Sequence, residues 1–292
     1  MSEPRRVGGR AVNAVGFGAM QLSEPHRPDE DEAVRVLVET LEAGCNLIDT
    51  ADAYCLGPQE IGHNERLVAR ALREWGGDRD DVIVATKGGH TRRPDGSWDL
   101  DGSPQHLRQA CEASLRALEV DVLDLYQFHR PDPEVPFEES VGTLAELREQ
   151  GKIRLAGVSN ANLAQIDQAV AIADVVSVQN EFSPWFTSSA SELARCEELG
   201  IAFLCWAPLG GTGRVARAGE LLPAFGQMAE ERQVTPQQLI LAWEVAQGST
   251  AIPIPGTRRS RTMLENLAAA SIELDADELR RLDACVAAHG RR

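Results

Sequence analysis

Apolar positions along this chain follow two alternating patterns. Segments with apolar residues every three to four positions predict helices near 30–43, 60–74, 104–118, 138–150, 162–173, 188–199, 236–247 and 260–270, with a further one at 275–288. Between them, short runs rich in Val, Ile and Leu predict strands at 15–18, 47–49, 82–86, 123–128, 154–158, 175–179, 202–205 and 250–252. Gly44, Gly151, Gly200 and Gly248 each fall where a helix should end, in the place of a left-handed cap. Ser103-Pro104 and Thr235-Pro236 pair an N-cap side chain with a first-turn proline.

Apolar strands that alternate with helices pair in parallel through helical crossovers, and eight of them close a barrel. The expected fold is α/β, a single (β/α)8 TIM barrel with an N-terminal β-hairpin around Gly8-Gly9 and an extra C-terminal helix. One domain is expected, with the hairpin as a cap over 1–14, the barrel over 15–272, and the last helix and tail over 273–292. A doubly wound nucleotide-binding sheet is the competing architecture. Its glycine fingerprint is missing: Gly16-Phe-Gly18-Ala-Met-Gln21 lacks the third glycine, and Gly210-Gly-Thr-Gly213 follows a late strand.

Composition narrows the class. A length of 292 residues suits one barrel of about 250 residues with trimmings. No apolar run reaches the roughly 18 residues of a spanning helix, and Met1-Ser-Glu-Pro-Arg-Arg6 has no hydrophobic signal core, so a cytoplasmic protein is expected. A net charge of −16 argues against nucleic-acid or membrane partners without forbidding a local basic pocket. The six cysteines are scattered, with no Cys-x-x-Cys pair, and reduced thiols are expected. A monomer is the default expectation, with oligomers left open. Only two lysines occur, Lys87 and Lys152, against many arginines, which draws attention to places needing a compact charge.

In a barrel, the positions just after the strands share one open face. Here they are Met20 and Gln21, Asp49 with Tyr54, Lys87, His129, Ser159-Asn160, Gln179-Asn180, Trp206-Ala-Pro-Leu209 and Pro255-Gly-Thr-Arg258. A phenol is a poor acid near neutrality unless a neighbouring cation favours its ionised form. Lys87 can be that cation, Asp49 can hold the lysine charged, and His129 can donate to a carbonyl oxygen. That set suits proton delivery to a developing oxyanion, not attack by a nucleophile. Taken singly, Asp49 also reads as a helix N-cap, Lys87 as a surface charge and His129 as a loop histidine; four such groups at successive strand ends make coincidence a poor account. His63 and His90 with Asp52 match no metal-ligand spacing, and no metal is expected.

These residues carry a resemblance to the aldo-keto reductases along nearly the whole chain. The similar segments are Val15-Gly-Phe-Gly-Ala-Met20, Asn46-Leu-Ile-Asp-Thr-Ala-Asp-Ala-Tyr54, Ala85-Thr-Lys-Gly88, Asp124-Leu-Tyr-Gln-Phe-His129, Gly151-Lys-Ile-Arg-Leu-Ala-Gly-Val-Ser-Asn160, Val178-Gln-Asn180 and Ile252-Pro-Ile-Pro-Gly-Thr257. The resemblance implies NADPH-dependent reduction of an aldehyde or ketone, NADP+ being the spent form, with a tetrad of Asp49, Tyr54, Lys87 and His129 and Tyr54 as general acid. It also implies cofactor contacts from Ala19, Met20, Asp49, Ser159, Asn160, Gln179, Trp206, Pro208, Leu209, Gly211, Pro255, Gly256, Thr257, Arg258, Arg261, Glu265 and Asn266. Trp206 stands where the family usually stacks a tyrosine on the nicotinamide. The arginines Arg258, Arg259 and Arg261, beside a helix N-terminus, suit a 2′-phosphate on charge grounds as well, though which of them makes the contact is left open. The expected carbonyl pocket is walled by Met20, Gln21, Tyr54, Trp98, His129 and Trp185, with Phe182 as an alternative to Trp185 and Cys55 as a further neighbour. The chain stops soon after its last helix, so it lacks the long C-terminal loop of many mammalian relatives and should have a more open mouth. The second expectation is a non-catalytic, cofactor-binding regulatory barrel like the potassium-channel beta subunits.

Overall fold

The computed structural model describes residues 5–289. The chain opens with an antiparallel hairpin, β1 (Arg5–Val7) and β2 (Arg10–Val12). The barrel begins with β3 (Phe17–Gly18), β4 (Leu47–Asp49) and β5 (Ile83–Gly88). A second hairpin follows, β6 (His90–Arg92) and β7 (Trp98–Leu100). The barrel is completed by β8 (Leu123–Phe128), β9 (Ile153–Ser159), β10 (Ser177–Glu181), β11 (Ala202–Trp206) and β12 (Ala251–Pro253). The eight barrel strands are parallel neighbours in chain order. Two backbone bonds close the ring between its first and last members, Gly16 N to Pro253 O at 3.0 Å and Gly18 N to Pro255 O at 3.1 Å.

Parity along the strands explains what the barrel holds. Leu47, Ile83, Ala85, Leu125, Leu204, Ile252 and Ile254 fill the interior floor, and Val7 and Val12 of the first hairpin pack against them from below. Their immediate neighbours Ile48, Val84, Tyr126 and Phe203 point outward into the helical layer. Side chains alternate with period two, so the residue two steps beyond a floor residue also faces inward, one storey higher. Asp49, Lys87, Gln127 and Trp206 stand in that relation to Leu47, Ala85, Leu125 and Leu204.

The predicted helices form, with shifted ends. Pro104–Leu118 matches its expectation; Glu30–Glu42, His63–Trp75, Phe137–Glu149, Leu163–Ala173, Ala190–Leu199, Pro236–Val245 and Ser260–Ala268 complete the ring, and Ala276–His289 follows it. The Ser103 side chain accepts from His106 N, and Thr235 forms a reciprocal capping box with Gln238, each worth about 1 kcal/mol. Gly44, Gly151 and Gly200 take positive φ as expected, whereas Gly248 does not. A Cβ at Gly248 would lie 2.9 Å from Glu197 Oε2, of the carboxylate that binds Thr250 N and Ser249 Oγ, so a side chain there would have to displace that held carboxylate.

Three helical pieces between β11 and Pro236 were not expected: Thr212–Val215, Ala218–Leu221 and Pro223–Arg232. Gly219 and Gly226 interrupt their sequence, yet these glycines let two segments cross, since a Cβ on Gly226 would meet Gly219 O at 2.7 Å. The first barrel strand is shorter than predicted and β5 is longer, so Lys87 lies within a strand and not after it. Among the described residues no helix is long and apolar enough to cross a membrane.

Candidate active site

The stretch after β4 is fixed before any chemistry is considered. Thr50 N donates to Ala85 O at 2.8 Å, Tyr54 N closes a turn on Ala51 O, and Gly62 N donates to Asp52 O at 2.7 Å. These bonds fold the loop back over the barrel mouth and set Tyr54 above Lys87. The Lys87 ammonium donates to Asp49 Oδ2 at 2.7 Å, to the Thr50 carbonyl at 2.9 Å and to Tyr54 Oη at 3.1 Å. An ammonium has three donors, and all three are occupied. Tyr54 Oη therefore acts as acceptor toward the lysine, and its own proton is left for another partner.

His129 follows β8, its N–H bound to Gly88 O at 2.9 Å, with its ring edge-on to Tyr54 at 5.7 Å between centroids. The two glycines after Lys87 make room for this. A Cβ on Gly88 would fall 2.0 Å from Tyr126 Oη, and Gly89 has φ +109° with the Phe128 ring 2.9 Å from its missing Cβ. All four tetrad side chains are buried.

Burial sets their protonation. It pushes the Tyr54 phenol up to about 12 although Lys87 pulls the other way, so the expected net lowering by the cation does not occur. Burial alone disfavours the Lys87 ammonium, but Asp49 and Tyr54 more than offset it and hold its pKa above the usual lysine value. Burial, reinforced by His90, Lys87 and Arg130, drives His129 well below its ordinary value, so the imidazole is neutral.

The remaining expected residues divide. Gln179 Nε2 donates to Asp49 Oδ1 at 2.7 Å, and its oxygen has no partner among the described residues. The Asn160 amide is committed: Nδ2 donates to His129 O and Ser159 Oγ, and Oδ1 accepts from Arg130. Ser159 Oγ donates to Gln179 O at 2.7 Å. Trp206 Nε1 and Asn266 Nδ2 are buried with no hydrogen-bond partner among the described residues. Arg258 is tied to Gln21 O and Pro25 O, Arg261 to Glu265, and Arg259 has no side-chain partner among the described residues. Ala19 O accepts from Asn64, while Met20 is 41% exposed at the mouth. Gln21 packs against Gly256, and Pro255 O holds Gly18 N. Trp185 lies over Gly210 in the loop that carries Pro208, Leu209 and Gly211. Phe182 is instead sealed in the helical layer, stacked on Trp243 at 5.7 Å, and Cys55 is fully buried with its thiol on Gly57 O, so neither walls the pocket.

Two residues central to this geometry had no signal in the sequence. Asn64 accepts from Thr50 Oγ1 at 2.6 Å and donates to Ala19 O and Ser23 Oγ, bracing the loops on either side of Lys87. Arg92 donates to Ala53 O and Gly96 O, pairs with Glu24 and lies 3.3 Å over the Trp98 ring, riveting the second hairpin beside Tyr54.

Comparison with known sequences decides the family, because residues 14–287 match the Aldo/keto reductase family. The chain belongs to that family. It is 36% identical over 282 residues to an uncharacterized oxidoreductase of Schizosaccharomyces pombe, covering 95% of this chain and 88% of the relative. A probable aldo-keto reductase of Glycine max is 33% identical, with 96% and 88% covered. Among solved structures, the glycerol dehydrogenase of Gluconobacter oxydans superposes with a TM-score of 0.84 at 26% identity, over 99% of this chain and 96% of that one. An aldo/keto reductase from Klebsiella pneumoniae in complex with NADP and acetate gives 0.82 at 27% identity, over 100% and 98%. This aldo/keto reductase is thus matched along its length in both sequence and fold.

Proposed function

We propose that the protein reduces an aldehyde or ketone to an alcohol at the expense of NADPH, with Tyr54 delivering the proton. The observation that carries this is the saturated Lys87 ammonium, which leaves the Tyr54 hydroxyl proton as the free donor of the set. A Schizosaccharomyces pombe relative is named for NADP(+), and Klebsiella pneumoniae structures hold NADP or NADPH. Residues of this chain fit such a group. Asn266 Nδ2 and Trp206 Nε1 are buried donors without a partner among the described residues. Arg259 is exposed and unpaired among the described residues, at the start of a helix whose first turn has no side-chain cap, which suits a phosphate. Gln179 offers its free oxygen to the nicotinamide carboxamide; Asn160 and Ser159 brace that neighbourhood through the bonds they already make.

NADPH, when bound, supplies the hydride to the carbonyl carbon. Tyr54, neutral and buried, gives its proton to the carbonyl oxygen as that oxygen becomes an alkoxide, a far stronger base than a phenolate. Lys87 stabilises the phenolate left behind, and Asp49 keeps Lys87 charged and oriented. Neutral His129 donates from Nε2 to the same oxygen and aligns the carbonyl. The exposed Trp98 and Met20 give the mouth apolar walls, which support an aldehyde, ketone or quinone. Six unpaired cysteines support a reducing, cytoplasmic setting. The test is NADPH oxidation with 4-nitrobenzaldehyde by wild type and Tyr54→Phe. A fall of about 10²–10⁴-fold is expected; equal rates would sink the mechanism, and a barrel that only binds nucleotide would be silent in both.

A further inference from the structure

One polar ring at the mouth has no part in that scheme. His90 begins β6, with its centroid 4.3 Å from His129 at 87° and 5.1 Å from Trp98 at 66°. Its Nδ1 lies 3.2 Å from the Asp99 carbonyl oxygen on the opposite strand of the hairpin. A carbonyl oxygen only accepts, so Nδ1 carries the proton and Nε2 keeps its lone pair. Burial lowers the imidazole to about 4, which leaves this neutral tautomer in place across the physiological range. Nε2 is neither hydrogen-bonded among the described residues nor one of the fully buried polar atoms left without a partner, so it keeps some contact with solvent. His129 Nδ1, by contrast, is sealed.

The mouth therefore presents two kinds of polar group side by side. Tyr54 and His129 donate, and both donors are taken up by the carbonyl oxygen. His90 accepts, next to the ring that holds that oxygen. We propose that His90 is a specificity-determining residue whose Nε2 accepts a hydrogen bond from a hydroxyl on the carbon adjoining the carbonyl, so that 2-hydroxy aldehydes and ketones are preferred to unsubstituted ones. The two imidazole centroids lie 4.3 Å apart, close enough for one small substrate to reach both rings. A substrate without that hydroxyl leaves a desolvated lone pair unmatched, which is how a polar pocket rejects an analogue. The hairpin that carries His90 is held by Arg92 on Ala53 O, one residue from Tyr54, so the acceptor keeps a fixed place relative to the acid.

This inference rests on the reductase reading of the site, and the experiment separates the two. The values of kcat/KM for 2-hydroxyacetophenone and acetophenone are compared with NADPH for wild type, His90→Phe and His90→Gln. His90→Phe keeps an edge-packed ring without the acceptor, and should lower the hydroxyketone-to-ketone ratio about tenfold. His90→Gln, whose amide can donate to Asp99 O and turn its oxygen to the pocket, should keep most of the preference. Turnover of both ketones with the same ratio in all three proteins overturns the role of His90 alone. Turnover of neither by wild type overturns the reductase reading and this inference with it. Independently of turnover, histidine nitrogen NMR of the wild-type protein should show His90 protonated at Nδ1; a proton on Nε2 would overturn the acceptor assignment even if the variants fail to fold.

Discussion

Glu244 offers a quantitative test of how the barrel wall tolerates charge. Its side chain lies on the buried face of the helix Pro236–Val245, with no exposure and with neither carboxyl oxygen hydrogen-bonded among the described residues. Cys205 of β11 is near enough to sense it, and among the described residues no cation offsets it. Burial alone raises its pKa well above the usual carboxylate value. The folded protein therefore keeps a proton that the unfolded chain releases near a pKa of about 4.3. Since the native state binds more protons, stability falls as pH rises through that interval, by about 1.4 kcal/mol for each pH unit between the unfolded and folded values. Below about 4.3 this penalty vanishes. Even protonated, an unpaired buried carboxyl costs about 1–3 kcal/mol of desolvation. Glu244→Leu should thus stabilise the protein by about 1–3 kcal/mol near pH 4, where only the desolvation cost is relieved, with the gain growing as pH rises from 5.5 to 8, and raise Tm by roughly 2–4 °C per kcal/mol. Glu244→Gln should lose the pH slope while keeping most of the desolvation cost. Urea unfolding followed by tryptophan fluorescence at several pH values measures both. A leucine variant less stable than wild type at pH 8, or a glutamine variant with an undiminished slope, would refute the reasoning.

Other consequences are open to direct measurement. Lys87→Met leaves Asp49 buried without its cation and Tyr54 without its partner; a stability loss of about 3–5 kcal/mol and an activity loss of about 10²-fold or more are expected in unfolding and NADPH-oxidation assays. Arg92→Ala strips the second hairpin of its anchors on Ala53, Gly96 and Glu24 and should raise KM while lowering stability by about 3 kcal/mol, with Arg92→Lys recovering only part because it lacks the planar fork. Arg259→Ala should weaken NADPH about tenfold or more and NADH little in fluorescence titrations, whereas Arg258→Ala, which frees the loop at Gln21 and Pro25, should weaken both alike. If Arg258→Ala alone discriminates between the two nucleotides, the 2′-phosphate contact belongs to it.

The barrel was legible because its two periods are written plainly, and the site followed from parity. Ile83, Ala85 and Lys87 occupy alternate positions of one run, so a strand that puts the first two on the floor must put the ammonium above them. Asp49 stands the same way to Leu47. What stayed hidden lies in long-range pairing. Arg92 reaches back 39 residues to Ala53 and 68 to Glu24, and nothing in its own neighbourhood signals either contact. Asn64 stands in the first turn of its helix, and its partners Thr50, Ser23 and Ala19 lie 14, 41 and 45 residues away. Gly248 shows the opposite failure: position suggested a left-handed cap, yet its φ is not positive, and what stands beside it is the carboxylate of Glu197, 51 residues away, which reaches Thr250 N and which a Cβ would have to displace. Arg258 was grouped with its neighbours on resemblance and charge, and only the loop it binds sets it apart.

The saturated lysine also bears on how long such a catalyst lasts. Aldehydes condense with free side-chain amines, so a protein that gathers them invites slow inactivation by its own substrates. This chain carries two lysines in all. Lys87 is sealed, charged and engaged through every N–H, which denies an aldehyde the lone pair it needs. Lys152 pairs with Glu112, far along the chain from the mouth. The basic surface is otherwise arginine. The arrangement that aims the Tyr54 proton thus also leaves the pocket without a nucleophilic amine to foul.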